Sequence, residues 1–215
     1  MWVPWLLRLN VNNLRALLIQ RAARLQERPA FTVPLWGTLN YSQFRNRVEG
    51  VALGLLATKC PIGTELFCAT GTPWDWAAEV AAACCGLRWE RTGTLVNPEI
   101  LGGTHFNDEQ GRGTYHEREH EVDERTLFLG RLDHAAMMQR LQRMNRILGW
   151  DHESKVGFPL AQIGTSEVRA ALWCALYAGS HAVLDDEPFR PKGIVKRREV
   201  PPAVFDPAPF SGFWT

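Results

Sequence analysis

VGFPLAQIGTSEVRAALWCALYAGSHAVL, residues 156–184, reads as strand, helix, strand. Val156 to Leu160 is a strand candidate that ends in a proline-containing segment. Ser166 is placed to cap a helix. Val168, Ala171, Leu172, Ala175 and Leu176 recur along it at helical spacing, and Gly179 closes it. His181 to Leu184 is the following strand. Two strands joined by one helix at this spacing predict a right-handed crossover between parallel neighbours.

The rhythm extends in both directions. Residues 13–27 read as an amphipathic helix, with Leu14, Leu17, Leu18, Ala22 and Leu25 on one face and Pro29 as its stop. Ala30–Val33 and Thr38–Leu39 are short strand candidates around a Trp36-Gly37 turn. Asn40 with Gln43 three residues on has the form of a capping box. It precedes the apolar stripe Phe44, Val48, Val51, Ala52, Leu55 and Leu56. Glu65 to Ala69 reads as a buried strand. Thr72-Pro73 opens a helix that Gly86 ends. Between Gly102 and Arg125 no period is sustained, which predicts an exposed loop. Residues 133–148 read as another helix, with Met137, Leu141, Met144 and Leu148 on one face. The expected fold is α/β, a mostly parallel sheet flanked by helices. The expected domain is 1–186, followed by a proline-rich extended tail, 187–215, with the basic cluster Lys192, Lys196, Arg197 and Arg198.

Composition narrows the function classes. Of 215 residues 46% are apolar and 22% charged, which is ordinary for a globular chain. A net charge of +1 gives no global electrostatic case for nucleic acid or an anionic membrane. No stretch approaches the roughly 20 apolar residues of a membrane span. The five cysteines are odd in number and lack framework spacing, so a reducing, cytoplasmic setting is expected. Adjacent Cys84-Cys85 suits packing better than redox chemistry.

Taken in order, the segments resemble a known family. RAARLQERPA (21–30), LNYSQF (39–44), VALGLL (51–56), the helix Trp76–Gly86, Asn97-Pro98, Leu132-Asp133-His134, FPLAQ (158–162) and AGSHAVL (178–184) are similar to consecutive parts of AMP-forming acyl-CoA synthetases. The resemblance covers about three quarters of the chain, in its N-terminal part of that family. It implies a shortened N-terminal synthetase domain. The candidates for contact with an acyl-type ligand are Gln162, Gly164 and, at the C-terminal end of the last strand, Asp185. Gln162 stands where many members carry a histidine at the acyl site.

The departures concern catalysis. The family cradles ATP phosphates with a Ser/Thr/Gly-rich loop that ends in a lysine motif. Before His134 this chain has Thr126-Leu127-Phe128-Leu129-Gly130-Arg131-Leu132, and no lysine occurs between Lys59 and Lys155. The later motifs, which supply the family's Mg-binding acid, ribose-binding Asp and catalytic Lys, fall past residue 215. Adenylation is largely charge stabilisation on phosphoryl oxygens, so no catalytic residue and no resident cofactor are expected. The first expectation is a non-catalytic, synthetase-like protein that binds a partner chain or an acyl or aromatic carboxylic acid, most simply as a homodimer. The second is an acyl-activating ligase using ATP, Mg and CoA and completed by another chain.

A third expectation comes from His116-Glu117-Arg118-Glu119-His120, which fits the zinc patterns His-Glu-x-x-His and His-x-x-Glu-His. On a helix His116 and His120 would share a face. Glu117 would be the base, and His134 or Asp133 the third ligand. Its flanks are Gly111, Gly113, Arg118, Asp123 and Glu124, without an apolar stripe. That favours a solvated loop and no metal.

Overall fold

A computed structural model describes residues 11–57, 59–90, 93–97, 101, 109–185 and 205–215. Helix α1 (Leu14–Leu25) is capped by the Asn13 side chain, which accepts from the Ala16 amide at 2.8 Å. Strands β1 (Pro29–Val33) and β2 (Gly37–Asn40) pair antiparallel. Helix α2 (Tyr41–Ala57) opens on the expected capping box. The Gln43 amide donates to Asn40 Oδ1 at 2.7 Å, and the Asn40 amide donates to Gln43 Oε1 at 3.0 Å. Strand β3 (Glu65–Phe67) leads into α3 (Pro73–Cys84), with Thr72 as its cap. Strands β4 (Arg88–Trp89) and β5 (Thr94–Leu95) flank β3, both parallel to it. Gly93 passes so close to β3 that a Cβ there would lie 2.6 Å from the Glu65 carbonyl carbon.

The crossover in 156–184 forms as expected. Strand β8 (Lys155–Pro159), helix α6 (Ser166–Ala178) and strand β9 (His181–Asp185) form a unit in which β8 and β9 run parallel in register from Lys155↔His181 to Pro159↔Asp185. Strand β9 also pairs parallel with β1, giving the sheet order β2-β1-β9-β8, while β4-β3-β5 form a second, all-parallel sheet. The helix cap is Thr165, one residue before the expected Ser166; its hydroxyl accepts from the Val168 amide at 3.4 Å. Between the sheets, Trp173 on α6 meets Trp76 on α3 edge-on at 5.0 Å and Phe128 at 5.4 Å, and all three are buried.

Two regions differ from expectation. Within the stretch read as an exposed loop, residues Glu109–Glu121 form helix α4, and residues 102–108 lie outside the described residues. Tyr115, Arg118 and Val122 are its buried face, at i, i+3 and i+7. One of the three is a charged residue, so no apolar stripe was visible. Arg118 is held by the Cys60 carbonyl at 2.7 Å. From beneath, buried Arg15 donates to the Tyr115 carbonyl at 2.9 Å, with its guanidinium 4.0 Å from the Tyr115 ring centroid. The Val122 methyl at the end of α4 packs on Gly86, where φ is +69° and a Cβ would come within 2.9 Å of it. That close approach, together with the left-handed backbone, requires glycine.

The second difference is the tail. Residues 205–215 are packed on their own chain. Phe205 meets Phe158 at 5.3 Å, Phe210 meets Trp150 at 6.1 Å, and Trp214 Nε1 donates to the Ser166 carbonyl at 2.8 Å. The basic cluster at 192–198 lies outside the described residues. No described helix is long and apolar enough to cross a membrane. All five cysteines are free thiols.

Candidate functional site

A cavity of about 340 Å³ opens where β3 and β8 end and α3 and α6 begin. Its apolar wall is Phe67, Trp76, Trp89 and Ile163. Its polar wall is Cys68, Asp75, Glu79, Thr165 and Arg169. Both strand ends deliver their chains to one place because the crossover units are parallel, and ligand sites in such folds favour the carboxyl ends of strands.

Asp75 organises the β3–α3 turn. Its Oδ1 accepts from the Thr70 amide at 2.9 Å and the Thr70 hydroxyl at 2.6 Å, and its Oδ2 from the Gly71 amide at 2.8 Å. The Cys68 thiol donates to Oδ1 at 3.2 Å. Burial, and then this bond to a carboxylate, push the Cys68 pKa up to about 12, so it is a thiol and not a nucleophile. Glu79 is buried in the middle of α3. It accepts from Trp173 Nε1 at 2.8 Å and from Arg169 Nε at 2.5 Å. The Arg169 guanidinium also lies 5.2 Å from the Trp214 ring. Arg169 Nη2 is buried and has no partner among the described residues.

Of the sequence-nominated residues, Gly164 lines this cavity. Gln162 is exposed on the adjoining 3-10 turn Leu160–Gln162, and Asp185 is exposed at the end of β9, beside Pro159 of β8. Glu79, Arg169, Asp75 and Cys68 were not nominated. A signal was present: Glu79 is the lone charge in Ala77-Ala78-Glu79-Val80-Ala81-Ala82-Ala83, and Arg169 interrupts Val168 to Trp173. A charge inside an apolar helical run must be paired if it is buried.

His116 and His120 are both exposed on α4. Their proposed third ligands are committed elsewhere. Asp133 caps helix α5 (His134–Leu148) through the Ala136 amide at 2.7 Å. His134 is buried, its Nδ1 accepting from the Leu14 amide at 3.4 Å. Among the described residues no three His, Cys, Asp or Glu side chains converge as a metal site.

The segment before His134, where the resembled family carries its phosphate loop, is a tight hairpin. Strands β6 (Leu127–Leu129) and β7 (Leu132–Asp133) pair antiparallel around Gly130-Arg131. The Gly130 amide is taken by the Glu90 carboxylate, and the Gly130 carbonyl accepts from Arg88 at 3.1 Å. Arg88 is also bonded to Glu65 at 2.6 Å.

Solved structures share this architecture. The N-terminal domain of FACL13 from Mycobacterium tuberculosis superposes with a TM-score of 0.57 at 12% identity, over 82% of this chain and 58% of that one. The NpsA N-terminal subdomain from Klebsiella oxytoca gives 0.55 at 14% identity, over 84% and 55%. The artificially fused NpsA-ThdA adenylation-PCP di-domain from the same organism gives 0.56 at 13%, over 84% and 40%. This is the fold of the N-terminal domains of AMP-forming ligases. The chain therefore spans between 40% and 58% of the length of these three structures. No protein-family model and no curated protein matches the sequence. At such low identity the ligase-type fold is what the likeness carries.

Proposed function

We propose that this chain binds an acyl-type ligand in the β3–α3/β8–α6 cavity and does not itself adenylate acids. The observation that carries the second half is the Gly130-Arg131 hairpin. The Gly130 amide already has a carboxylate acceptor, Glu90, and a negative side chain at that point repels a polyphosphate. Arg88, which donates to the Gly130 carbonyl, is bonded to Glu65 and Glu90, which leaves the exposed Arg131 as the cation of the turn itself. The cavity, with Phe67, Trp76, Trp89 and Ile163 on one side and polar groups on the other, supports the first half. Pyrophosphate release from ATP with a panel of carboxylic acids is expected to stay at background. Acid-dependent turnover that survives repurification would overturn the reading.

A second reading is a ligase completed by another chain. It is favoured by one observation, that the chain spans about half the length of its structural neighbours. Mixing the chain with a separately expressed C-terminal ligase domain separates the two. Adenylation that appears only in the mixture supports completion.

A further inference from the structure

We propose that two copies of this chain dock through helix α5, packed antiparallel across a two-fold axis near Gln139 and Gln142. The two ends of α5 carry opposite charge, so each end fits the other end of a second copy.

The C-terminal half of α5 is basic and apolar. Its sequence, HAAMMQRLQRMNRIL, holds three arginines and no acidic residue. Gln139, Gln142, Arg143, Arg146 and Ile147 are exposed, and at 3.6 residues per turn they fall on one side of the helix. Ile147 is 69% exposed, more than any other large apolar side chain described. The first acid past the helix, Asp151, is committed to its own turn, where it accepts from the Glu153 and Ser154 amides at 3.0 Å. The N-terminal end is the reverse. The turn 123–127 is fastened to it, with the Ala135 amide donating to the Glu124 carbonyl at 2.8 Å and the His134 amide to the Thr126 carbonyl at 3.1 Å. The Asp123 and Glu124 side chains are exposed, as are Glu117, Glu119 and Glu121 on α4 leading into the turn; exposed Arg125 and Arg131 are the cations beside them. Leu127, 42% exposed, adds an apolar side chain at this end.

Self-complementary ends make a second copy the fitting occupant. A two-fold axis repeats every contact, so each basic end meets an acidic end and the pairing closes on itself. The helix is about 22 Å long at 1.5 Å per residue, so an axis through its middle sets Arg146 opposite Ala135 and the partner's Glu124. The same side of α5 carries only small side chains at that end, Ala135 and Ala136, which leaves room for Ile147. The segment 205–215 does not cover this side. It lies on the Arg140 flank, where Arg140 donates to the Thr215 carbonyl at 3.1 Å, and with α5 it forms a groove of about 390 Å³ between Ala136, Met144, Ile147 and Pro209. The groove gives the partner's apolar side chains a seat beside the charged contacts. Opposite charges placed this way fix the orientation of docking and disfavour a parallel pair, in which the two basic ends would meet.

The test is sedimentation equilibrium of the full chain at low ionic strength, with charge swaps at two exposed positions. Arg146→Glu and Glu124→Lys, each made alone, turn both symmetry-related contacts into like-charge pairs and are expected to weaken the dimer about tenfold. The two changes combined in one chain reverse both partners of each contact and should restore the wild-type dissociation constant. Mixing the two single variants should likewise give a heterodimer tighter than either homodimer, because both of its contacts are again of opposite charge. That mixture also serves as a folding control, since a variant that failed to fold could not be rescued by its counterpart. A wild-type chain that stays monomeric at roughly 100 µM overturns the proposal. So does an unaltered dissociation constant in either single variant, or a combined variant that does not recover; a dimer that persists in those cases uses another surface, such as the β2 or β8 edge.

Discussion

Glu79 and Arg169 tie α3 to α6 through one ion pair, with Glu79 almost fully enclosed and Arg169 nearly so. Replacing Arg169 alone by Met strands a buried carboxylate, which costs about 3–5 kcal/mol. Replacing both, as Glu79→Leu with Arg169→Met, removes the stranded charge. The double variant is therefore expected to be more stable than the single one, as read by urea denaturation. His134 belongs to the same scale. Burial pushes its pKa down from 6.5 to about 4, against the weaker opposing pull of Asp133 and Asp123. The folded chain keeps the ring neutral while the unfolded chain takes up a proton. Stability is thus full above about pH 6.5 and is lost as the pH falls through the window towards 4. Half-buried His181 is pushed down to about 4 as well, by desolvation first and then by Lys155, and belongs to the same window. Between pH 7 and 5 His134 should account for a loss on the order of 2 kcal/mol. A His134→Gln variant, neutral throughout, should show a flatter pH dependence of its urea midpoint.

Helix α4 has Tyr115 as its one buried apolar side chain. Its solvent face is charged, and its inner face is Tyr115, Arg118 and Val122 over Arg15. The Arg118 bond to the Cys60 carbonyl therefore bears much of its docking. A hydrogen bond from a charged group contributes about 1.5–3 kcal/mol. Arg118→Ala should accelerate amide exchange across 112–121 by ~10–100-fold while leaving α2 and α3 protected. Hydrogen-exchange mass spectrometry reads this directly. Exchange accelerated equally in α2 and α3 would mean that α4 is part of the global unfolding unit. The sheets show the opposite character. Strands β8 and β9 run parallel with the buried helix α6 between them, and a one-residue register slip would turn Val156 and Phe158 out of the core.

At the scale of the molecule, the described sheet ends in β2 and β8, and the smaller sheet in β4 and β5. The segment 205–215 packs Phe205 on Phe158 of β8 and buries Phe210 and Phe213. Phe210→Ala should cost about 3–5 kcal/mol and release Trp214 from Ser166, seen as a shift in tryptophan emission. Unpaired sheet edges invite pairing, and we propose a homodimer at micromolar concentration. Sedimentation equilibrium checks it; a monomer that binds no hydrophobic dye would mean that the chain closes its own edges.

The local signals in this sequence determined the helices and strands that carry their own punctuation. The Asn40/Gln43 box, Thr72-Pro73, Gly149 and Gly179 act through bonds within a few residues, so they are legible without knowing the fold. The parallel crossover from 156 to 184 followed from them, and with it the α/β class and the family likeness. Gly164, a ligand-contact candidate from the sequence, lines the cavity. The tertiary structure alone decided the rest. Arg118 and Arg15 make α4 a docked helix only because the Cys60 and Tyr115 carbonyls lie within reach, from segments 58 and 100 residues away. Glu79 and Arg169, 90 residues apart, become one buried pair only when α3 meets α6. Periodicity counts a charged residue as solvent-facing, and what reverses that assignment is a partner supplied by a distant part of the chain.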